Sequence, residues 1–163
     1  MARLAQTLEG AGDTDAIIAA HAAPAPPSTL LGERVVIDRC FAGASPPEII
    51  ARLGVVVASG SAFAKSAADA MGRHSPTSLA IALRQMEIGA SLDFAAAMRT
   101  EYRIVSRLCQ GHEFYEGIRA QIIDKDYHPV WRPARFEDIN LGDIDAYLFP
   151  LEAGELPVPG EPL

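Results

Sequence analysis

Apolar side chains recur every three or four residues along most of the chain, which is the spacing of an amphipathic α-helix. Runs that favour a strand are short, such as the valine triplet at residues 55–57. The pattern therefore predicts an all-α fold with seven to nine helices. The longest predicted helix carries an apolar stripe made of Phe94, Met98, Tyr102, Val105 and Cys109.

Polar residues that favour helix starts stand before these periodic segments. Ser45 precedes two prolines and, three residues later, Glu48, which is the pattern of a capping box. Ser75 precedes Pro76 in the same way, and glycines at later positions favour helix ends. The predicted N-caps are Asp13, Ser45, Ser61, Ser75 and Ser91, and the predicted ends are Gly54, Gly89 and Gly111. Shorter helices are expected at residues 3–8 and 143–149.

Proline-rich segments divide the chain. Pro24, Pro26 and Pro27 favour a stiff extended segment, because proline fixes φ and has no amide proton to donate. Three further prolines follow Glu152. We expect short helices over residues 1–21, an Ala/Pro-rich linker over 22–32, a helical domain over 33–150 and a disordered tail over 151–163.

The charge balance limits the partners of the chain. It has 14 Lys+Arg and 21 Asp+Glu among 163 residues, a net charge of −7. That charge argues against nucleic acids and anionic membranes as partners, since both bind basic surfaces.

The lone cysteines Cys40 and Cys109 indicate reduced thiols rather than a disulfide framework. No leader or membrane span is recognised, so we expect a cytoplasmic protein.

Motifs for catalysis, metals and cofactors are not found in the sequence. There is no glycine-rich phosphate loop, no nucleophile elbow and no pair of histidines at metal-binding spacing. Arg103 and Arg107 share a helical face and are expected to meet carboxylates or an anion. Lys125 lies in the densest charged run, residues 124–126. Its composition predicts a solvated loop after a helix, with Lys125 capping the C-terminus of that helix. Trp131, between two prolines, is expected to cover the core.

Three segments taken together resemble a known family. Ser75-Pro76 opens the first, Glu101-Tyr102-Arg103 opens the second, and Ile123-Asp124-Lys125-Asp126 opens the third. The second segment continues to Gly111-His112-Glu113-Phe114-Tyr115-Glu116-Gly117-Ile118-Arg119-Ala120, and the third to Pro129-Val130-Trp131 and Pro133-Ala134. In this order they resemble the C-terminal part of 3-hydroxyisobutyryl-CoA hydrolases, a branch of the enoyl-CoA hydratase/isomerase (crotonase) superfamily.

The resemblance implies that the N-terminal and C-terminal parts of a family member have different roles. In this family a spiral N-terminal core supplies the oxyanion hole and the acid/base residues, and the C-terminal helices cover the acyl-CoA pocket. The chain is thus expected to be the helical part without that ββα core, with no catalytic residue and no metal. Lys125 is the position nearest to the family lysine that contacts the coenzyme A end. No cofactor is implied, since the coenzyme A thioester is the substrate of the whole family enzyme.

Several functions stay open at this point. The first is a part of an acyl-CoA thioester hydrolase of valine breakdown that is inactive alone and works with a crotonase core in cis or in trans. A fragment of a hydratase or isomerase on the same scaffold is the nearest alternative. A non-catalytic helical interaction module is the third. An uncovered apolar face would also favour self-association.

Overall fold

The computed structural model describes residues 13–157, which fall into two compact units, one ending at Arg34 and one beginning at Val35. The described part of the first unit holds helices α1 (Thr14–His21) and α2 (Thr29–Gly32). Asp13 caps α1 as predicted, since its carboxylate accepts from the amide of Asp15 at 3.0 Å. The helix predicted at residues 3–8 lies outside the described residues.

The helices of the second unit follow one another along the chain, together with one π-helix and one 3-10 turn. Within residues 13–157 the structure contains nine α-helices and no strand, which confirms the all-α prediction. The remaining helices are α3 (Arg34–Cys40), α4 (Pro46–Val57), α5 (Ala62–Arg73), α6 (Pro76–Gly89), α7 (Phe94–Leu108), α8 (His112–Ile118) and α9 (Leu141–Ala146). A π-helix at Arg119–Ile123 extends α8, and a 3-10 turn covers Phe136–Asp138.

Three of the predicted serine caps are confirmed. The hydroxyls of Ser45, Ser61 and Ser75 each accept a hydrogen bond from the amide three residues later, which satisfies a donor that the helix leaves free. The cap predicted at Ser91 is wrong. Asp93 caps α7 instead, with its Oδ1 2.8 Å from the amide of Ala96, while Ser91 donates to a carbonyl of the preceding helix.

The helix end predicted at Gly54 is also wrong. Helix α4 continues to Val57, so the strand-prone valine triplet is helical. Val56 and Val57 pack against a buried cluster, and this packing outweighs their weak local preference for a strand. The buried cluster, which we call the first core, consists of Cys40, Ile49, Leu53 and Ala64 on α3, α4 and α5.

A second core lies between α6, α7 and α9. It consists of Ala80, Ile81, Ile104 and Ile144. The last helix spans Leu141–Ala146 rather than residues 143–149, because Asn140 caps it by accepting from the amide of Gly142 at 3.0 Å. The second core therefore fixes the position of α9 and of the residues that follow it.

The apolar stripe of α7 faces solvent rather than the second core. Phe94 is 78% exposed and Val105 is 52% exposed, whereas Thr100 and Ile104 on another face of the helix are buried. The sequence pattern thus gave the helix correctly, but the stripe is left uncovered by residues 13–157. In that part of the chain no helix combines the length and apolar character needed to cross a bilayer.

Candidate functional site

Lys125, the residue that the resemblance singles out, lies in the loop that follows the π-helix. Its φ of 54° and that of Tyr127, 59°, place both residues in the left-handed region that side chains adopt only when their surroundings hold them there. The side chain of Lys125 is exposed, and it takes part in none of the ion pairs found within residues 13–157. This loop spans residues 124–130.

Arg119 is the centre of the contacts that hold the loop. Its Nη1 donates to Asp124 at 2.7 Å and to Asp126 at 2.6 Å, and its Nη2 donates to the carbonyl of His128 at 3.1 Å. Its Nε and Nη2 also meet both oxygens of Glu116, at 3.0 and 2.8 Å. A planar guanidinium can bind several acceptors in fixed directions, so one side chain orders the whole turn.

Glu116 links Arg119 to the far side of the loop. Its Oε1 also accepts from the amide of Val130 at 2.7 Å. These donors, Arg119 first and the Val130 amide second, hold the pKa of Glu116 down at about 2. The carboxylates around Arg119 in turn raise its pKa. Both groups are therefore charged throughout the ordinary pH range, and the cluster is a permanent structural element.

The end of the loop is attached to two helices. His112 Nε2 lies 2.9 Å from the carbonyl of Val130, and Trp131 Nε1 donates to the carbonyl of Arg73 at 3.0 Å. The Trp131 ring lies against Gly117, where an added Cβ would stand only 3.5 Å from the ring. Trp131 is half-buried, and it is not among the residues that pack against either core. The loop thus presents Lys125 to solvent from a fixed backbone.

Glu113, one turn before Glu116, is buried, but only one of its two carboxylate oxygens has a hydrogen-bond partner. Its side chain Oε1 accepts from the amide of Arg132 at 2.7 Å, and the residue is 8% exposed. Within residues 13–157, Oε2 of Glu113 is the one buried side-chain oxygen or nitrogen without a hydrogen-bond partner. An unsatisfied buried acceptor costs roughly 1–3 kcal/mol, and more when it is charged.

A cavity of about 210 Å³ lies beside Glu113. Thr77, Leu108, Ile144 and Tyr147 line it together with Glu113. Burial raises the pKa of the Tyr147 hydroxyl, and the negative charge of Glu113 raises it further. The phenol is therefore a proton-bearing group next to a carboxylate.

Of the two arginines predicted to meet carboxylates or an anion, Arg103 meets a carboxylate, whereas Arg107 meets backbone carbonyls instead. Arg103 Nε lies 2.8 Å from Glu155, and Arg107 donates to the carbonyls of Tyr147 and Pro150. Arg103 is the main cause of the lowered pKa of Glu155. These contacts bind the segment 147–155 to α7, so the two arginines serve structure here.

The roles of Glu113, Glu116 and Arg119 were not predicted, although all three residues belong to the second of the segments that resemble the family. A signal was present in the sequence: Arg119 has acidic residues three positions before it and five and seven positions after it. Within the described residues, no group of three or more His, Cys, Asp or Glu is arranged to hold a metal ion. The contacts of residues 112–132 fix the shape of the loop at residues 124–130.

The family model described as Enoyl-CoA hydratase/isomerase matches residues 1–148. Among curated proteins, the chain is 36% identical over 130 residues to the 3-hydroxyisobutyryl-CoA hydrolase, mitochondrial, of Danio rerio, covering 80% of this chain and 33% of that protein. The protein of the same name from Homo sapiens is 36% identical over 120 residues, which cover 74% of this chain and 30% of that protein.

Solved structures of similar proteins agree with these matches. A carnitinyl-CoA dehydratase from Mycobacterium thermoresistibile superposes with a TM-score of 0.80 and 34% identity, over 98% of this chain and 44% of that chain. An enoyl-CoA hydratase from Rhodobacter sphaeroides 2.4.1 gives a TM-score of 0.70 and 38% identity, over 79% of this chain and 37% of that one. The chain spans about a third of the length of the curated relatives it matches.

Proposed function

Because the chain belongs to the enoyl-CoA hydratase/isomerase family, in its 3-hydroxyisobutyryl-CoA hydrolase-like branch, we propose that it forms the C-terminal helical part of an acyl-CoA thioester hydrolase of valine breakdown. The observation that carries the proposal is the identity of 36% to relatives named as that hydrolase. The proposed substrate is a short β-hydroxyacyl-CoA. The proposed cellular location is cytoplasmic, although the curated relatives cited above are named mitochondrial proteins.

In this proposal the chain is inactive alone and works with a crotonase core. The resemblance assigns the oxyanion hole and the acid/base groups to that core, where positioned donors stabilise the charge that develops on the thioester oxygen. The exposed stripe of α7 supports the proposal that a partner covers this face, because Phe94 and Val105 remain in contact with water in the described residues. A core in cis or in trans, or a second copy of the chain, would bury this stripe.

We assign to Lys125 a contact with the phosphate or adenine end of coenzyme A. The ammonium is exposed and unpaired within residues 13–157, and the backbone that carries it is fixed by Arg119. The neighbouring carboxylates of Asp124 and Asp126 are both bound to Arg119, which reduces their repulsion of a phosphate. An exposed ammonium that contacts a phosphate contributes to binding rather than to the chemical step.

The test is release of the coenzyme A thiol from 3-hydroxyisobutyryl-CoA by the chain alone and after addition of a family core domain. We expect thiol release only in the mixture. In the active mixture, Lys125→Ala should raise KM about two- to fivefold with little change in kcat, as for loss of one exposed charge contact. Lys65→Ala is the matched control, because Lys65 is the other lysine of the chain and pairs with Asp69 on α5.

Thiol release at an enzyme-like rate by the chain alone would contradict the proposed inactivity. An unchanged KM in Lys125→Ala would contradict the role of Lys125 and leave the hydrolase proposal standing. If neither activity nor a complex is found, the chain is better described as a non-catalytic interaction module.

Hydration of an enoyl-CoA is the second candidate activity. The observation that favours it is the similarity to solved structures named as a carnitinyl-CoA dehydratase and an enoyl-CoA hydratase. The two activities differ in product, because a hydrolase releases a free thiol and a hydratase leaves the thioester intact. Loss of enoyl absorbance in the same mixture, without thiol release, would therefore favour the hydratase.

A further inference from the structure

A second cavity, of about 280 Å³, lies where α6 and α8 meet the π-helix and the end of the loop. It opens to water, because His74 and Gln121 in its lining are exposed and Phe114 is 43% exposed. A cavity of about 150 Å³ is enough to hold benzene. The second cavity therefore has room for a larger, bicyclic ring.

Two aromatic rings of the lining are held in place by their neighbours. The indole of Trp131 is anchored at two points, because its Nε1 donates to the carbonyl of Arg73 at 3.0 Å and its six-membered ring lies against Gly117. The ring of Phe114 meets that of Tyr115 edge to face, with ring centroids 5.4 Å apart. Rings that are already ordered can stack on a planar ligand at a small cost in conformational entropy.

The lining also offers free hydrogen-bonding groups. The side chains of His74, Ser78 and Gln121 have no hydrogen-bond partner within residues 13–157. Each of these side chains can both donate and accept, and the edge of a nucleobase presents donors and acceptors side by side. Glu113 is the one carboxylate of the lining, so the cavity disfavours an anion.

We propose that the second cavity binds the base of a purine nucleoside, which stacks on Trp131 and Phe114 and bonds through its edge to Ser78 and Gln121. The two rings favour a flat ligand over an aliphatic one of the same size, and the free polar groups favour a heteroaromatic ring over a hydrocarbon. The carboxylate of Glu113 favours a nucleoside over its phosphates. The proposal does not depend on the hydrolase assignment.

The probe is adenosine, titrated into the whole chain and followed by the fluorescence of Trp131, which is the one tryptophan of the sequence. Excitation at the long-wavelength edge of the indole band avoids absorption by adenosine. We expect saturable quenching, because a base that stacks on the indole binds at a defined site, whereas random collisions give quenching that does not saturate. Ribose, which lacks the base, should leave the fluorescence unchanged.

Phe114→Leu should weaken adenosine binding at least about fivefold, since stacking on an aromatic side chain contributes about 1–3 kcal/mol per base. Phe149→Leu is the matched control, because Phe149 is 59% exposed and lies outside the lining, and its affinity for adenosine should equal that of the unchanged chain. If Phe114→Leu does not fold, Gln121→Ala replaces it, with an expected weakening of about two- to fivefold for loss of one hydrogen bond.

Three results would each overturn the proposal: quenching that does not saturate, equal quenching by ribose, or an affinity for adenosine that the cavity variant leaves unchanged. A loss of affinity in Phe149→Leu as large as that in Phe114→Leu would also overturn it, since the bound base would then not lie in the second cavity.

Discussion

The first core and the loop at residues 124–130 are held together by different forces. In the first core, Leu53 and Cys40 are fully buried among apolar neighbours and no ion pair is involved. In the loop, most side chains are exposed, and the backbone is held by hydrogen bonds to Arg119 and Glu116. Burial stabilises the fold as a whole, whereas the polar cluster fixes the shape of one local turn.

The largest effect should come from a cavity in the first core. Leu53→Ala removes a side chain that is 0% exposed and should lower the free energy of unfolding by about 2–5 kcal/mol. Urea unfolding measures the change. The matched control is Val55→Ala on the same helix, because Val55 is 64% exposed and its truncation should cost less than about 0.5 kcal/mol. Equal losses in the two variants would contradict the described packing.

Removing the guanidinium should loosen the loop and leave the first core intact. In Arg119→Lys the single ammonium cannot serve Glu116, Asp124, Asp126 and the His128 carbonyl together. We expect amide hydrogen exchange at Val130 to become about tenfold faster or more, with no change at Leu53.

The control for Arg119→Lys is Arg135→Lys, because Arg135 pairs with Glu137 where both side chains are mostly exposed. That change should leave the exchange of Val130 as it is. Unchanged exchange in Arg119→Lys itself would mean that Arg119 does not organise the loop.

A smaller effect is expected from acid. The pKa of Glu116 in the folded chain is about 2, below its ordinary value of 4.5. A lowered pKa means that Glu116 contributes its full stabilisation above about pH 4.5, and that this contribution is lost as the pH falls towards about 2. The amide shift of Val130 should therefore titrate with a midpoint near 2. A midpoint near 4.5, or the same curve in Glu116→Gln, would contradict this coupling.

Local signals made much of the fold predictable. The hydroxyls of Ser45, Ser61 and Ser75 act within three residues of their own positions, so a pattern in the sequence is enough to locate them. The cap predicted at Ser91 failed because Asp93, two residues later, is an equally good capping residue, and the local pattern alone does not separate the two. The end predicted at Gly54 failed because the packing of the half-buried Val56 and Val57 against the first core depends on contacts distant in sequence.

The site was less predictable than the fold, because its geometry joins distant positions. The amide that binds Glu113 comes from Arg132, 19 residues later, after a turn that only the structure reveals. The apolar stripe of α7 predicted the helix but not its solvent-facing side, since periodicity shows that a face is apolar and not what covers it. Lys125 was located by resemblance, and its role as a coenzyme A contact stays a proposal.

The contacts of Arg103 and Arg107 on α7 indicate where a label or a surface tether can be attached to the chain. At about 100° per residue, Arg103 lies about 180° around the helix from Phe94. The segment that Arg103 and Arg107 hold, including Glu155, is therefore fastened away from the exposed stripe. A fluorophore or surface tether attached near Glu155 should leave Phe94 and Val105 accessible, so a sensor chip loaded through that segment would display the stripe to an incoming partner.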